Sequence, residues 1–191
     1  MSDPTMSFAP VVANLYLAPL GTSISTIISY DTSLPGAFID LGAINLDGRY
    51  PWTPPGTPTR TVVRQVNDSA IWYVSETPSD DTGHWNLTML ESNIAVMEAA
   101  YGVEIDEDGT FVNYGGLPVH WVGVLDTASA DAVPKKRRVI APDLSIALSG
   151  AVGGDKSNPL ETYPLQLSPN PSSVLAGGSF KSMNSWLADL S

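Results

Sequence analysis

Apolar and polar residues alternate along this chain in short runs, and almost nowhere with the longer period of a helix. The runs are rich in Val, Ile, Thr and aromatics, and glycines and prolines, 16 of each, punctuate the chain between them. This pattern predicts strands near Asn14–Leu17, Ala37–Leu46, Thr61–Val66, Ala70–Glu76, His84–Glu91, Gly109–Tyr114, Val119–Asp126, Arg137–Leu148 and Glu161–Leu167. Together they predict a mainly β fold of the sandwich or barrel kind. The clearest hairpin joins Ala70–Glu76 to His84–Glu91 through Thr77-Pro78-Ser79-Asp80-Asp81-Thr82-Gly83. In its second strand Trp85, Leu87 and Met89 share one face, and His84, Asn86 and Thr88 the other. A period of two means that one face packs on a core and the other meets water.

Two segments carry a helical stripe instead. Ser92–Tyr101 sets Ile94, Met97 and Tyr101 at i, i+3 and i+7, with Ser92 or Asn93 placed to cap the start and Gly102 to end it. It predicts a single helix of about three turns that packs on the sheet through those three residues. At the C-terminus Met183, Trp186, Leu187 and Leu190 fall on one helical face, after a joint at Gly177-Gly178-Ser179. Asp47–Arg60 has four prolines and two aromatics in fourteen residues, which excludes a helix or a central strand and predicts a long, stiffened loop. Ser168–Ser179 reads as a linker. The chain thus divides into an N-terminal arm (1–13), a β domain (14–167), and a linker with a C-terminal arm (168–191).

Composition narrows the function. Of 191 residues 43% are apolar, enough for a real core, and only 15% are charged, against roughly 25% in typical usage. With 20 acids and 9 bases the net charge is −11. Such a chain is a poor candidate for gripping nucleic acid, which requires cations that displace condensed counterions. The absence of cysteine excludes disulfides, cysteine nucleophiles and thiolate metal sites. The opening MSDPTMSFAP has no basic start and no apolar run, which predicts no signal peptide. No stretch approaches the roughly 18 apolar residues of a spanning helix. The expectation is a soluble, acidic protein folded in a reducing compartment, with no membrane partner.

Candidate chemistry is sparse. His84 and His120 are the only histidines, each in a strand pattern without HExxH, HxH or a neighbouring carboxylate motif, so a structural role is expected for both. No GxSxG elbow occurs. Gly150–Ser157 resembles a phosphate loop, but Asp155 would set a carboxylate where phosphates sit, and Pro159 and Pro164 oppose the helix that must follow. It reads as a glycine-rich turn between two strands. The acidic run Glu104–Gly109 lacks the twelfth-position glutamate of a calcium loop and reads as a turn feeding a strand. Lys135-Lys136-Arg137-Arg138 holds four of the nine bases, and the acidity of the whole predicts a solvated loop that pairs with acids on a neighbouring subunit. The sequons Asn67-Asp68-Ser69 and Asn86-Leu87-Thr88 are coincidences without a secretory signal. No catalytic residue, metal or cofactor is expected.

Four segments carry a resemblance. Asn14–Thr22 (NLYLAPLGT) is similar to the opening strand of siphophage major tail proteins, an apolar strand running into Ala-Pro-x-Gly-Thr. Phe38-Ile39-Asp40-Leu41-Gly42, leading to Asp47-Gly48, resembles that family's second strand and turn. Thr88–Val96 resembles its passage from strand to single helix, and Lys136–Pro142 its basic entry to a late strand. The matches run in order from about residue 14 to 167 (Asp47–Arg60 being longer and richer in proline than the family's loop, and the C-terminal segment having no counterpart).

The resemblance implies a β-sandwich or barrel-like tail tube fold with one flanking helix and extended N- and C-terminal arms. It implies hexameric rings stacked into the hollow tube of a virion tail, assembled in the host cytoplasm. Implied partners are further copies of the chain, a tape measure protein, tail tip and terminator proteins, and DNA that passes through the lumen without specific binding. Within that picture Tyr50, Trp52, Pro54, Pro55 and Arg60 are expected to form an inter-ring contact loop. Met183, Trp186, Leu187 and Leu190 are expected to dock on a neighbouring subunit, and Ile94, Met97 and Tyr101 to seat the flanking helix. A capsid decoration protein, or a carbohydrate-binding module with Tyr50 and Trp52 as stacking platforms, are the alternatives.

Overall fold

The computed structural model describes residues 10–44, 52–54, 59–64, 71–77, 83–90, 94–106, 108, 110–112, 119–153 and 161–185. Its strands in chain order are β1 (Pro10–Pro19), β2 (Ile39–Ala43), β3 (Trp52–Thr53), β4 (Thr59–Arg64), β5 (Ile71–Thr77) and β6 (His84–Met89). After helix α1 (Ile94–Tyr101) come β7 (Glu104–Ile105), β8 (Phe111–Val112), β9 (Val119–Ser129), β10 (Lys136–Leu148), β11 (Tyr163–Pro169) and β12 (Lys181–Asn184). The fold is mainly β. Eight strands make one antiparallel sheet in the order β2-β1-β9-β10-β11-β6-β3, with β12 alongside β10. β10 is long enough to take β12 along its first half and β11 along its second, on the same edge.

The sheet curls until its ends meet. β6 pairs with β11 on one side, and at Met89 it meets Ile44, just beyond β2, in an isolated antiparallel bridge. Strand alternation fills the enclosed space. Leu15 and Leu17 of β1, Trp85, Leu87 and Met89 of β6, Val139 and Ala141 of β10, and Tyr163, Leu165 and Leu167 of β11 all point inward and are buried. The expected face of β6 is the observed one.

Segment 20–38 crosses the opposite face of β9 and β10. There Val124, Ile140 and Ile27 form a second buried cluster, flanked by Tyr16, Ile24, Leu34, Phe38 and Met183. The two central strands are therefore covered on both faces, which is why they read as near-continuous apolar runs rather than as clean alternation.

Two of the segments singled out in the sequence have a local physical reason. After β1, Thr22 donates its backbone N–H to the Pro19 carbonyl at 3.1 Å and its hydroxyl to the same oxygen at 2.7 Å. Gly21, at φ +90°, occupies the third position of this turn. A type II turn needs glycine there for its dihedral, and no atom crowds the site. In Asp40-Leu41-Gly42, Asp40 Oδ1 accepts the Gly42 N–H at 2.9 Å while Gly42 sits at φ +88°. Aspartate and glycine two residues apart thus bend β2 while Leu41 stays fully buried.

Several expectations are corrected. β5 does not pair with β6; it pairs with β4 in a separate two-stranded ribbon, and β6 joins the main sheet between β11 and β3. Proximity along the chain did not choose the partner. α1 spans eight residues, and its buried face is Val96, Ala99 and Ala100. Ile94 is 58% exposed, while Met97 and Tyr101 pack against the rim of the core. Every residue of α1 except Glu98 is apolar or alanine, so no polar side marks its orientation, and the small alanines face the sheet because they permit close approach. The helix ends as expected, the Val103 N–H reaching the Glu98 carbonyl at 3.3 Å in the six-to-one bond of a Schellman ending.

The boundaries shift as well. β1 begins at Pro10, inside the segment read as an arm. The segment read as a linker contains the end of β11 and a 3₁₀ turn at Ser173–Leu175. This turn is closed by Gly177 N–H to Ser172 O (2.9 Å) and Ser172 N–H to Gly178 O (3.1 Å), so the glycine pair is part of a bonded turn rather than a joint. Lys181–Asn184 is a strand on this chain's own β10, not the start of a helix.

Candidate functional site

The basic run is not a solvated loop; it opens β10, where neighbouring residues face opposite ways. Arg138 points outward beneath segment 20–38 and is only 6% exposed. Its Nε and Nη2 donate to the two carboxylate oxygens of Asp126, directly opposite on β9, at 2.7 and 2.6 Å. Its Nη1 donates to the carbonyls of Ser29 and Thr32 at 3.3 and 2.5 Å. The planar guanidinium fork makes this possible, since it serves a carboxylate and two carbonyls at once. Lys136 Nζ reaches Asp31 at 2.7 Å, and the hydrogen bond and charge of that carboxylate raise the lysine above its ordinary pKa. Arg137 Nε donates to Asn184 Oδ1 at 3.0 Å and ties β12 down. The acids expected on a neighbouring subunit are supplied by this chain itself.

The latched segment leaves a groove of about 670 Å³ between residues 21–28, the outer face of β10 at Ile140 and Pro142, and the Ser173–Leu175 turn. Large apolar side chains stand open at its margins, Ile28 at 77% and Val174 at 65% exposure.

Trp52 lies in β3, at the edge of the sheet, where the prolines on either side, Pro51 and Pro54, are tolerated. Its ring packs 4.4 Å from Trp85 and 5.3 Å from Phe180, and Phe180 closes the triangle 5.1 Å from Trp85. Trp52 is therefore an anchor for its own barrel wall. Pro54 follows it exposed, and Arg60 lies in β4. Tyr50 and Pro55 lie outside the described residues, as do Trp186, Leu187 and Leu190. Met183 flanks the outer cluster from β12.

A second polar cluster was not visible in the sequence. Between Ala141 and Leu144, β10 carries a bulge, and there Asp143 meets His120. His120 Nδ1 donates to Asp143 Oδ1 at 2.7 Å, and Asn170 Nδ2 donates to the same oxygen at 2.9 Å and to Ser145 Oγ at 2.7 Å. A histidine–carboxylate pair thus exists, twenty-three residues apart in the chain. The bulge is the missing signal, because an uninterrupted ladder would not bring Asp143 to that position.

The remaining motifs behave as turns. Asp106 Oδ1 accepts the backbone N–H groups of Asp108 and Thr110 at 3.1 and 2.7 Å, between β7 and β8. Gly150–Gly153 lies between β10 and β11, with Ser149 N–H bonded to the Pro164 carbonyl. Among the described residues, no three histidine or acidic side chains are grouped to hold a metal ion. Among them, too, no helix is long and apolar enough to cross a membrane. No protein-family model matches the chain, and no curated protein is significantly similar to it.

Proposed function

We propose that the chain is a structural, non-enzymatic subunit of a phage tail tube, assembling as rings of six that stack into a conduit for the genome. The observation that carries this reading is the ordered set of sequence segments that resemble tail proteins. Their described parts are the type II turn closing β1, the Asp40–Gly42 bend of β2, the end of β6 with the start of α1, and the basic opening of β10. A curled antiparallel sheet flanked by one helix agrees with it.

The charge balance supports it as well. A DNA conduit must not hold its cargo, and duplex DNA presents about one negative charge per 1.7 Å of axis. In this chain acids outnumber bases 20 to 9, and two of those bases, Lys136 and Arg138, are neutralised internally. The β4–β5 ribbon also supports assembly. Among the described residues its strands pair only with each other, and an isolated two-stranded ribbon is marginal in water. The carbohydrate-binding alternative loses one of its two platforms, since the Trp52 ring is engaged with Trp85 and Phe180.

The test is negative-stain microscopy of purified protein after concentration. Hollow tubes of uniform diameter are the expected result. Particles that remain discrete at every concentration, with a monomeric or trimeric mass by light scattering, would overturn the reading.

A further inference from the structure

We draw no further inference here: the strongest candidate, the apolar groove of about 670 Å³ between residues 21–28, the outer face of β10 and the Ser173–Leu175 turn, carries none because nothing in the structure shows what covers it.

Discussion

Replacing Arg138 with methionine should release segment 20–38 from the barrel. Methionine keeps most of the side chain's length and apolar stem but removes every donor. Asp126 then loses two charge-assisted bonds, and the carbonyls of Ser29 and Thr32 lose theirs. Removing one partner of a buried pair costs about 3–5 kcal/mol, because the other charge is left uncompensated. Here the arginine side chain is 7% exposed and the Asp126 side chain 27%. Asp126 therefore recovers some hydration, and the low end, about 3 kcal/mol, is expected. For a chain of this length that corresponds to a fall in Tm of roughly 6–12 °C.

The assay is thermal unfolding followed by circular dichroism, paired with limited proteolysis. Cleavage within 20–38 should appear well below the new Tm, while β9, β10 and β11 stay protected. Arg138→Lys should recover only part of the loss, since an ammonium lacks the fork. The variant Arg138→Met/Asp126→Asn should be less destabilised than the sum of the two single changes. A Tm within about 2 °C of the parent, with an unchanged proteolytic pattern, would refute the latch, since 1 kcal/mol alone shifts Tm by about 2–4 °C at this size.

Gly123→Ala should destabilise by about 1–3 kcal/mol, because the added Cβ would lie 2.3 Å from Leu144 Cδ2 inside the barrel. Adding Leu144→Ala to that variant should cost less than it does in the parent, as measured by urea unfolding. Trp52→Ala should cost about 2–3 kcal/mol, below the 3–5 of a fully buried aromatic, since Trp52 is only half-buried against Trp85 and Phe180; an unchanged urea midpoint would contradict that packing. Burial, and then the hydrogen bond that the hydroxyl donates to the Glu161 carboxylate, push the Tyr163 hydroxyl up to about 12, above the ordinary value near 10. The neutral phenol thus favours the fold fully below pH about 10, and that contribution is lost as pH rises toward 12. Absorbance titration should show one tyrosine ionising late, and Tyr163→Phe should flatten the loss of stability over that interval.

Strands were legible because burial on one face leaves a period of two, as Trp85, Leu87 and Met89 show. Their partners were not. β5 and β6 are adjacent in the chain yet pair elsewhere, and nothing in either strand's own pattern names its neighbour. The helix was legible as an element but not in its orientation, since a helix apolar nearly all round carries no directional signal. Charge misled for a similar reason. Read in one dimension, Lys135–Arg138 is a basic run; on a strand its members alternate faces, and Arg138 turns under a segment about 110 residues earlier in the chain. Pairing Val119–Asp126 with Arg137–Leu148 as a hairpin would have set Asp126 opposite Arg138. The meeting of His120 and Asp143 had no such signal, because it depends on one bulge.

The bridge between Ile44 and Met89 has a kinetic consequence. The β1–β9, β9–β10, β10–β11 and β11–β6 junctions are stitched by ladders of several registered pairs, whereas among the described residues this seam is held by a single rung. The barrel should therefore breathe there first, β2 swinging on its ladder to β1 while the β1–β9–β10–β11 stack stays intact. Amide exchange would be graded around the wall, fastest beside the seam and slowest across β9 and β10. In a packed assembly any neighbour bridging β2 and β6 would act as a clamp, and the difference in exchange at Ile44 and Met89 between free and assembled protein would locate it.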